Sequence, residues 1–178
     1  MIEIKFQGRG GQGVVVASEI LARACFEAGM YPQCYSLFGG ERRGAPVAAF
    51  VRVSDEKIYL KCDIDHPDHL IVFDTTLLSD DDICEQVVPG GLLLLNAGKA
   101  SELDSLKGYT VGTINALEIS ERNGLQGIVN TAMLGGYVGL SQIVSLEVLL
   151  RAIREAVPTA VDQNLTAARE AYERLSVH

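Results

Sequence analysis

Gly8, Gly10 and Gly13 stand at the spacing G-x-G-x-x-G, directly after a stretch in which Ile2, Ile4 and Phe6 alternate with Glu3, Lys5 and Gln7. With a strand before them and a helix after, glycines at this spacing have definite uses. The first permits a tight turn, the second lets backbone approach a ligand with no Cβ in the way, and the third lets helix and strand pack closely. Free amides at the helix N-terminus then favour an anion such as a phosphate. A loop that merely joins strand to helix, or that docks another subunit, reads the same way, and both readings stay open. Gly8, Arg9, Gly10, Gly11, Gln12 and Gly13 are therefore candidate cofactor-binding residues. A nicotinamide dinucleotide would also need an acid about 20 positions on, at the end of the second strand. Gln33, Cys34, Tyr35 and Ser36 occupy that region, which makes an independent NAD(P)-binding oxidoreductase the alternative reading rather than the first.

A second candidate is the adjacent pair Arg42 and Arg43, set among Gly39, Gly40, Gly44 and Pro46. Paired surface cations are commonly just solvated, and an ion pair with neighbouring Glu41 is worth only about 0 to 1 kcal/mol. Guanidinium forks do suit carboxylates and phosphates, however, and flanking glycines let a partner approach. Asp63, Asp65, His66, Asp68 and His69 mix carboxylate with imidazole, but Pro67 and the buried strand after it make them a solvated loop, so no metal-binding residue is assigned. Asp74 and Asn96 follow apolar strands; they either reach a ligand at the C-terminal rim of the sheet or cap the next element. No Ser, His and acid set stands out for hydrolysis, and no catalytic residue is assigned.

The elements that must hold these residues are set by hydrophobic period. Residues 2–6 form a first strand, and Val14, Ala17, Leu21, Ala24 and Ala28 lie on one face of a helix ended by Gly29. Residues 31–37 read as a second strand. Residues 47–53 alternate, and the polar Ser-Asp-Glu-Lys turn after them predicts a hairpin with 58–60. Residues 69–73 and 91–95 are continuously apolar, as strands buried on both faces should be, with a helical crossover at 76–88 between them. A weaker strand at 109–113 leads into a helix at 116–123, and 131–145, 146–157 and 162–175 all show helical spacing. Gly135, Gly136 and Gly139 inside the first of these cost about 1 kcal/mol each against alanine unless something approaches closely, which predicts a packing notch. The expected fold is a three-layer α/β domain spanning 1–178, with a mixed, mainly parallel sheet, a glycine-rich strand-turn-helix and a helical C-terminal third.

Composition narrows the function classes. The 178 residues fit one core, and a net charge of -8 works against nucleic acid, whose phosphates need clustered cations. No stretch is apolar enough for a membrane span or a secretory signal, so a cytoplasmic location is expected. Cys25, Cys34, Cys62 and Cys84 lie 9, 28 and 22 positions apart, without the close pairs that hold an iron-sulfur cluster or zinc.

Taken in order, the loop Gly8 to Gly13, the stretch Phe38-Gly39-Gly40-Glu41-Arg42-Arg43-Gly44-Ala45-Pro46-Val47, the strand end Arg52-Val53-Ser54, the run Asn130-Thr131-Ala132-Met133-Leu134-Gly135 and Asn164 resemble the gamma subunit of the 2-oxoacid:ferredoxin oxidoreductases. That group includes the pyruvate, 2-oxoisovalerate and 2-oxoglutarate synthases, and the resemblance covers essentially the whole chain. It implies a complex that turns a 2-oxoacid, coenzyme A and oxidised ferredoxin into acyl-CoA, carbon dioxide and reduced ferredoxin. Pyruvate is the first choice of oxoacid. It also implies alpha, beta and delta-type partner subunits that carry thiamine diphosphate, magnesium and the Fe-S clusters, with none of these bound by this chain alone. The gamma chain would assist assembly and the coenzyme A site, be inactive alone, and be open to self-association when isolated. Many relatives have two glycines after the arginine, whereas Ala45 follows Gly44 here, which leaves the oxoacid undecided.

Overall fold

A computed structural model describes residues 1–38, 44–77, 86–98 and 106–178. Strand β1 (Ile2–Arg9) buries Ile4 and Phe6 completely, as its alternation requires. Helix α1 (Val14–Glu27) lays Val14, Ala17, Ile20, Leu21 and Ala24 on the sheet. Gly29, at φ 87°, lets the Met30 N–H return to the Cys25 carbonyl and closes the last turn. The chain continues through β2 (Tyr31–Phe38), β3 (Pro46–Ser54), β4 (His69–Val72), β5 (Leu92–Asn96) and β6 (Thr110–Ile114). Then come α2 (Ala116–Arg122), α3 (Asn130–Ser141), α4 (Leu146–Ala156), α5 (Val161–Glu173) and a short β7 (Ser176–Val177).

The seven strands lie in the order β2-β3-β1-β4-β5-β6-β7. β1, β4, β5 and β6 form a continuous parallel centre, β3 runs antiparallel between β2 and β1, and β7 runs antiparallel on β6. The helices pack on one face over a core that includes Ile4, Phe6, Ile71, Leu94, Met133, Tyr137 and Ile153. A smaller apolar cluster on the other face joins Leu70, Val72, Leu93, Leu95 and Val111 to Val87 and Leu106 from the connections, which makes the third layer. Among the described residues no helix is long and apolar enough to cross a membrane.

The expected hairpin between 47–53 and 58–60 does not form. Both edges of β3 are taken, with Pro32 to Val53 typical of the pairing on one side and Ile4 to Val51 on the other, so 57–61 runs as irregular chain. That segment and its continuation cover the sheet's second face. There Arg52, only 1% exposed, donates to the Glu3 carboxylate at 2.6 Å, to Gln33 Oε1 and to the Asp63 carbonyl. Burial opposes the Arg52 charge, and Glu3, with smaller contributions from Cys62 and Tyr35, more than offsets it.

In the C-terminal third the helix expected over 131–145 stops at Ser141, because Gln142 adopts φ 53° and the Ser145 hydroxyl accepts from Val148 N–H to open α4. The glycine notch is there: a Cβ on Gly135 would lie 2.0 Å from the Ala168 carbonyl oxygen of α5, and one on Gly136 would meet Ile114 of the sheet at 3.3 Å. The crossover expected at 76–88 falls largely on 78–85, outside the described residues.

Candidate functional site

β1 delivers the glycine loop to the C-terminal rim of the sheet, where α1 begins. Gly11 and Gly13 adopt φ 100° and 80°, conformations that suit glycine. Close approaches are found at both ends of the motif. A Cβ on Gly8 would sit 2.7 Å from Phe73 Cβ and Val14 Cγ2, and one on Gly13 would sit 2.9 Å from the Asn130 side chain. Within the loop, Gln12 Oε1 accepts from the Arg9 N–H at 2.7 Å, while Gly10 N–H donates to Ala45 O and Gly44 N–H to Gly10 O.

The Arg9 side chain is not free to follow a ligand. It bonds Asp74 Oδ2 at 2.8 Å, the Gly44 carbonyl at 3.2 Å and Thr76 Oγ1 at 3.1 Å. Asp74 also caps the turn after β4 by accepting from Thr76 N–H and hydroxyl. Asn96 spans two elements, donating to the Phe73 carbonyl and accepting from Ala116 N–H. Both side chains thus act as caps after their strands, and Asp74 reaches the glycine loop as well. Partial burial works against the Asp74 charge, yet the bonds from Thr76 and Arg9 hold its carboxyl below the ordinary aspartate range. A depressed native pKa gives stabilisation that is complete above the unfolded value near pH 4 and is lost as pH falls through the lower native value. Asp74→Asn is expected to flatten the acid loss of stability that sets in below about pH 4, read from urea midpoints. Identical acid profiles for the two proteins would remove Asp74 as the anchor of Arg9.

Two recesses open in front of the loop. One, of about 370 Å³, is lined by Arg9, Gly10, Gly13, Val14, Val47 and neighbours. The other, of about 410 Å³, lies between the α2–α3 connection and the α4–α5 turn, with Gln126, Pro158, Ala160 and Asn164 in its wall. Val16, Ile128 and Asn130 line both, so the two form one groove. Three helices begin along it, α1 at Gly13, α3 at Val129 and α5 at Ala160, none with a side-chain bond from its N-cap residue, although Asn130 Oδ1 takes the Thr131 N–H at the start of α3. By contrast, α2 and α4 are capped by Asn115 and Ser145. First-turn N–H groups have no intrahelical acceptor, and neither α1 nor α3 has an acid in its first turn, so both present partial positive charge to the groove. α5 carries Asp162 there. Gln126 and Ala160 hold φ 52° and 51°, each at a cost on the order of 1 kcal/mol, and both sit on the rim. Val16 and Ile128, 41% and 46% exposed, leave apolar surface at the mouth.

Thr131 and Asn164 also tie the groove floor together, since Thr131 Oγ1 donates to Asn164 Oδ1 at 2.9 Å and Asn164 Nδ2 to the Ala160 carbonyl, while Asn130 Oδ1 accepts from the Thr131 N–H. These residues entered the sequence reading only through the resemblance. Val16, Gln126, Ile128 and Ala160 did not enter it as site residues, because nothing in a linear sequence shows that three separate loops meet. Arg42 and Arg43 lie outside the described residues.

The dinucleotide reading meets an obstacle in topology. In a dinucleotide fold the second strand adjoins the first, but here β3 separates β2 from β1, moving the end of β2 two strands, about 10 Å, away. Several of the other titratable groups singled out by the sequence have structural roles. Burial pushes the Cys25 thiol up to about 12, Asp68 accepts from the Glu3 N–H, and His69 Nδ1 shares a 2.7 Å bond with the fully buried Tyr137 hydroxyl. Among the described residues no group of three His, Cys, Asp or Glu is placed to hold a metal ion.

The chain matches the family model described as pyruvate ferredoxin/flavodoxin oxidoreductase over residues 3–174. It is 43% identical over 176 residues to the pyruvate synthase subunit PorC of Methanothermobacter marburgensis, an alignment covering 98% of each protein. It is 41% identical over 184 residues to the pyruvate/ketoisovalerate oxidoreductases common subunit gamma of Thermococcus kodakarensis, covering 100% of this chain and 99% of that one. The crystal structure of pyruvate oxidoreductase subunit PORC from Thermotoga maritima superposes with a TM-score of 0.84 at 35% identity, covering 99% of this chain and 97% of that one. Matched end to end in sequence and in fold, the chain belongs to the pyruvate ferredoxin/flavodoxin oxidoreductase family, among its gamma subunits.

Proposed function

We propose that residues 1–178 act as one gamma-type domain in a cytoplasmic 2-oxoacid:ferredoxin oxidoreductase, with pyruvate as the first-choice oxoacid and coenzyme A as acyl acceptor. Alpha, beta and delta-type subunits carry thiamine diphosphate, magnesium and Fe-S clusters and deliver electrons to ferredoxin. This chain contributes to assembly and to the coenzyme A site through Gly8, Arg9, Gly10, Gly11, Gln12, Gly13, Arg42 and Arg43. The observation that carries this role is the groove. It brings a glycine loop and the uncapped N-terminus of α1, which favour phosphate, beside apolar surface from Val16 and Ile128, which favours an aliphatic chain. Coenzyme A has both parts. The separation of β2 from β1 weighs against the NAD(P) alternative. A gamma subunit named as common to pyruvate and ketoisovalerate oxidoreductases supports placing the choice of oxoacid in other subunits.

Val16→Asp tests the groove. An acid in the first turn of α1 suits the helix dipole, so the fold is expected to keep or slightly gain stability, while the new charge opposes a phosphate at the loop. In the assembled complex the KM for coenzyme A is expected to rise about tenfold, equivalent to 1.4 kcal/mol, with the KM for the oxoacid unchanged. An unaltered KM for coenzyme A would take the groove out of that site. Anaerobic purification from the native source, with identification of the chains that copurify, tests the subunit assignment separately.

A further inference from the structure

In the helical layer most arginines are paired: Arg23 with Glu155, Arg122 with Glu118 and Glu170, Arg151 with Glu27, and Arg174 with Glu170. Arg154 on α4 and Arg169 on α5 have no carboxylate partner among the described residues. They share one spot. With Arg151, whose bond to Glu27 is long at 3.6 Å, they rim a recess of about 200 Å³ floored by Leu150 and Leu165, with Glu147 as the one acid on its edge. None of these residues lines the groove in front of the glycine loop.

Three guanidinium groups gathered around one acid are conspicuous in a chain of net charge -8. Their mutual repulsion is tolerated in water and relieved when carboxylates arrive, and guanidinium forks take carboxylates in bidentate geometry. The recess between them is smaller than the roughly 300 Å³ at which small-molecule sites begin, and its leucine floor has no use for a bare phosphate. An apolar side chain over Leu150 and Leu165 with acids on either side satisfies both halves of the surface. We propose that this face of α4 and α5 docks an acidic segment of a partner subunit, an apolar residue entering the recess and flanking carboxylates meeting Arg154 and Arg169. The proposal rests on the gamma-subunit reading, which supplies the partner chains.

The test compares the full chain with a variant carrying Arg154→Glu and Arg169→Glu, each mixed with the partner subunits that copurify with the native chain. Association is followed by sedimentation velocity at low and high salt, and circular dichroism checks the fold. Charge reversal is expected to weaken association about tenfold or more at low salt, with the gap narrowing at high salt as screening grows. A second variant, Arg154→Lys with Arg169→Lys, keeps the charge but loses the bidentate fork and is expected to fall between the native chain and the Glu variant. Equal association of the Glu variant and the native chain at low salt would overturn the proposal. So would competition by inorganic phosphate beyond that of sodium chloride at the same ionic strength, which would assign the patch to a phosphate ligand. If the native chain itself joins no partner at either salt, the subunit reading fails and takes the docking site with it.

Discussion

Gly135→Ala is expected to destabilise the protein by about 3 kcal/mol, at the upper end of what overpacking costs in a core. Alanine is the better helix former by about 1 kcal/mol, so an exposed helical glycine would gain from the change. Gly135 loses because its added methyl would lie 2.0 Å from the Ala168 carbonyl oxygen and 2.8 Å from Ala168 Cα, both backbone atoms that cannot rotate away. α3 is buried from Asn130 through Val138, with the sheet on one side and α5 on the other, so it has nowhere to retreat. Gly139→Ala serves as the contrast. Its methyl would meet the Leu175 and Tyr172 side chains at 3.3 Å, which can shift, and the expected change is within about 1 kcal/mol of zero. Urea unfolding of the two variants checks the pair; equal stabilities would mean that α3 and α5 do not touch as closely as the notch requires.

Arg52→Ala is expected to cost about 3 kcal/mol, the low end of the range for removing one member of a buried ion pair. The low end applies because Glu3 is 24% exposed and can recover water, whereas Arg52 is 1% exposed. The guanidinium also holds Gln33 and the Asp63 carbonyl, so its loss frees the chain that covers the second face of the sheet. Replacing both members, Arg52→Met with Glu3→Leu, is expected to recover more than half of the loss, since no lone charge then remains. A stability for Arg52→Ala within about 0.5 kcal/mol of the native protein would show the network to be surface-like.

Much of the fold could be read from side-chain period because burial enforces it. The alternation through Ile4 and Phe6, the apolar run 91–95 that forms β5 (Leu92–Asn96) and the apolar stripe of α1 each match an element of the structure. Residues 58–60 misled because three alternating residues cannot show whether a neighbouring strand still has a free edge, and β1 and β2 had taken both edges of β3. β7 was unanticipated for the same reason: two exposed residues carry no periodic signal and pair only because β6 offers an edge. The glycine loop was legible as a loop, but the bond that anchors Arg9 crosses 65 positions to Asp74. The groove walls at Gln126, Ile128 and Ala160 depend on three connections meeting in space.

The short link between Gly10 and the start of β3 makes two loops answer to each other. Gly44 and Ala45 are bonded to Gly10, and Phe38 is paired with Val47, so both ends of segment 39–43 are tied within a few residues of the glycine motif. Anything that moves Gly44 or Ala45 therefore also acts on Gly10 and the mouth of the groove. Were a partner subunit to seat on the start of β3, thermodynamic reciprocity would require it to change the affinity for a groove ligand by the same factor by which that ligand changes the hold of the subunit. Ligand occupancy and quaternary assembly would then be one linked equilibrium, joined through the backbone bonds of Gly10.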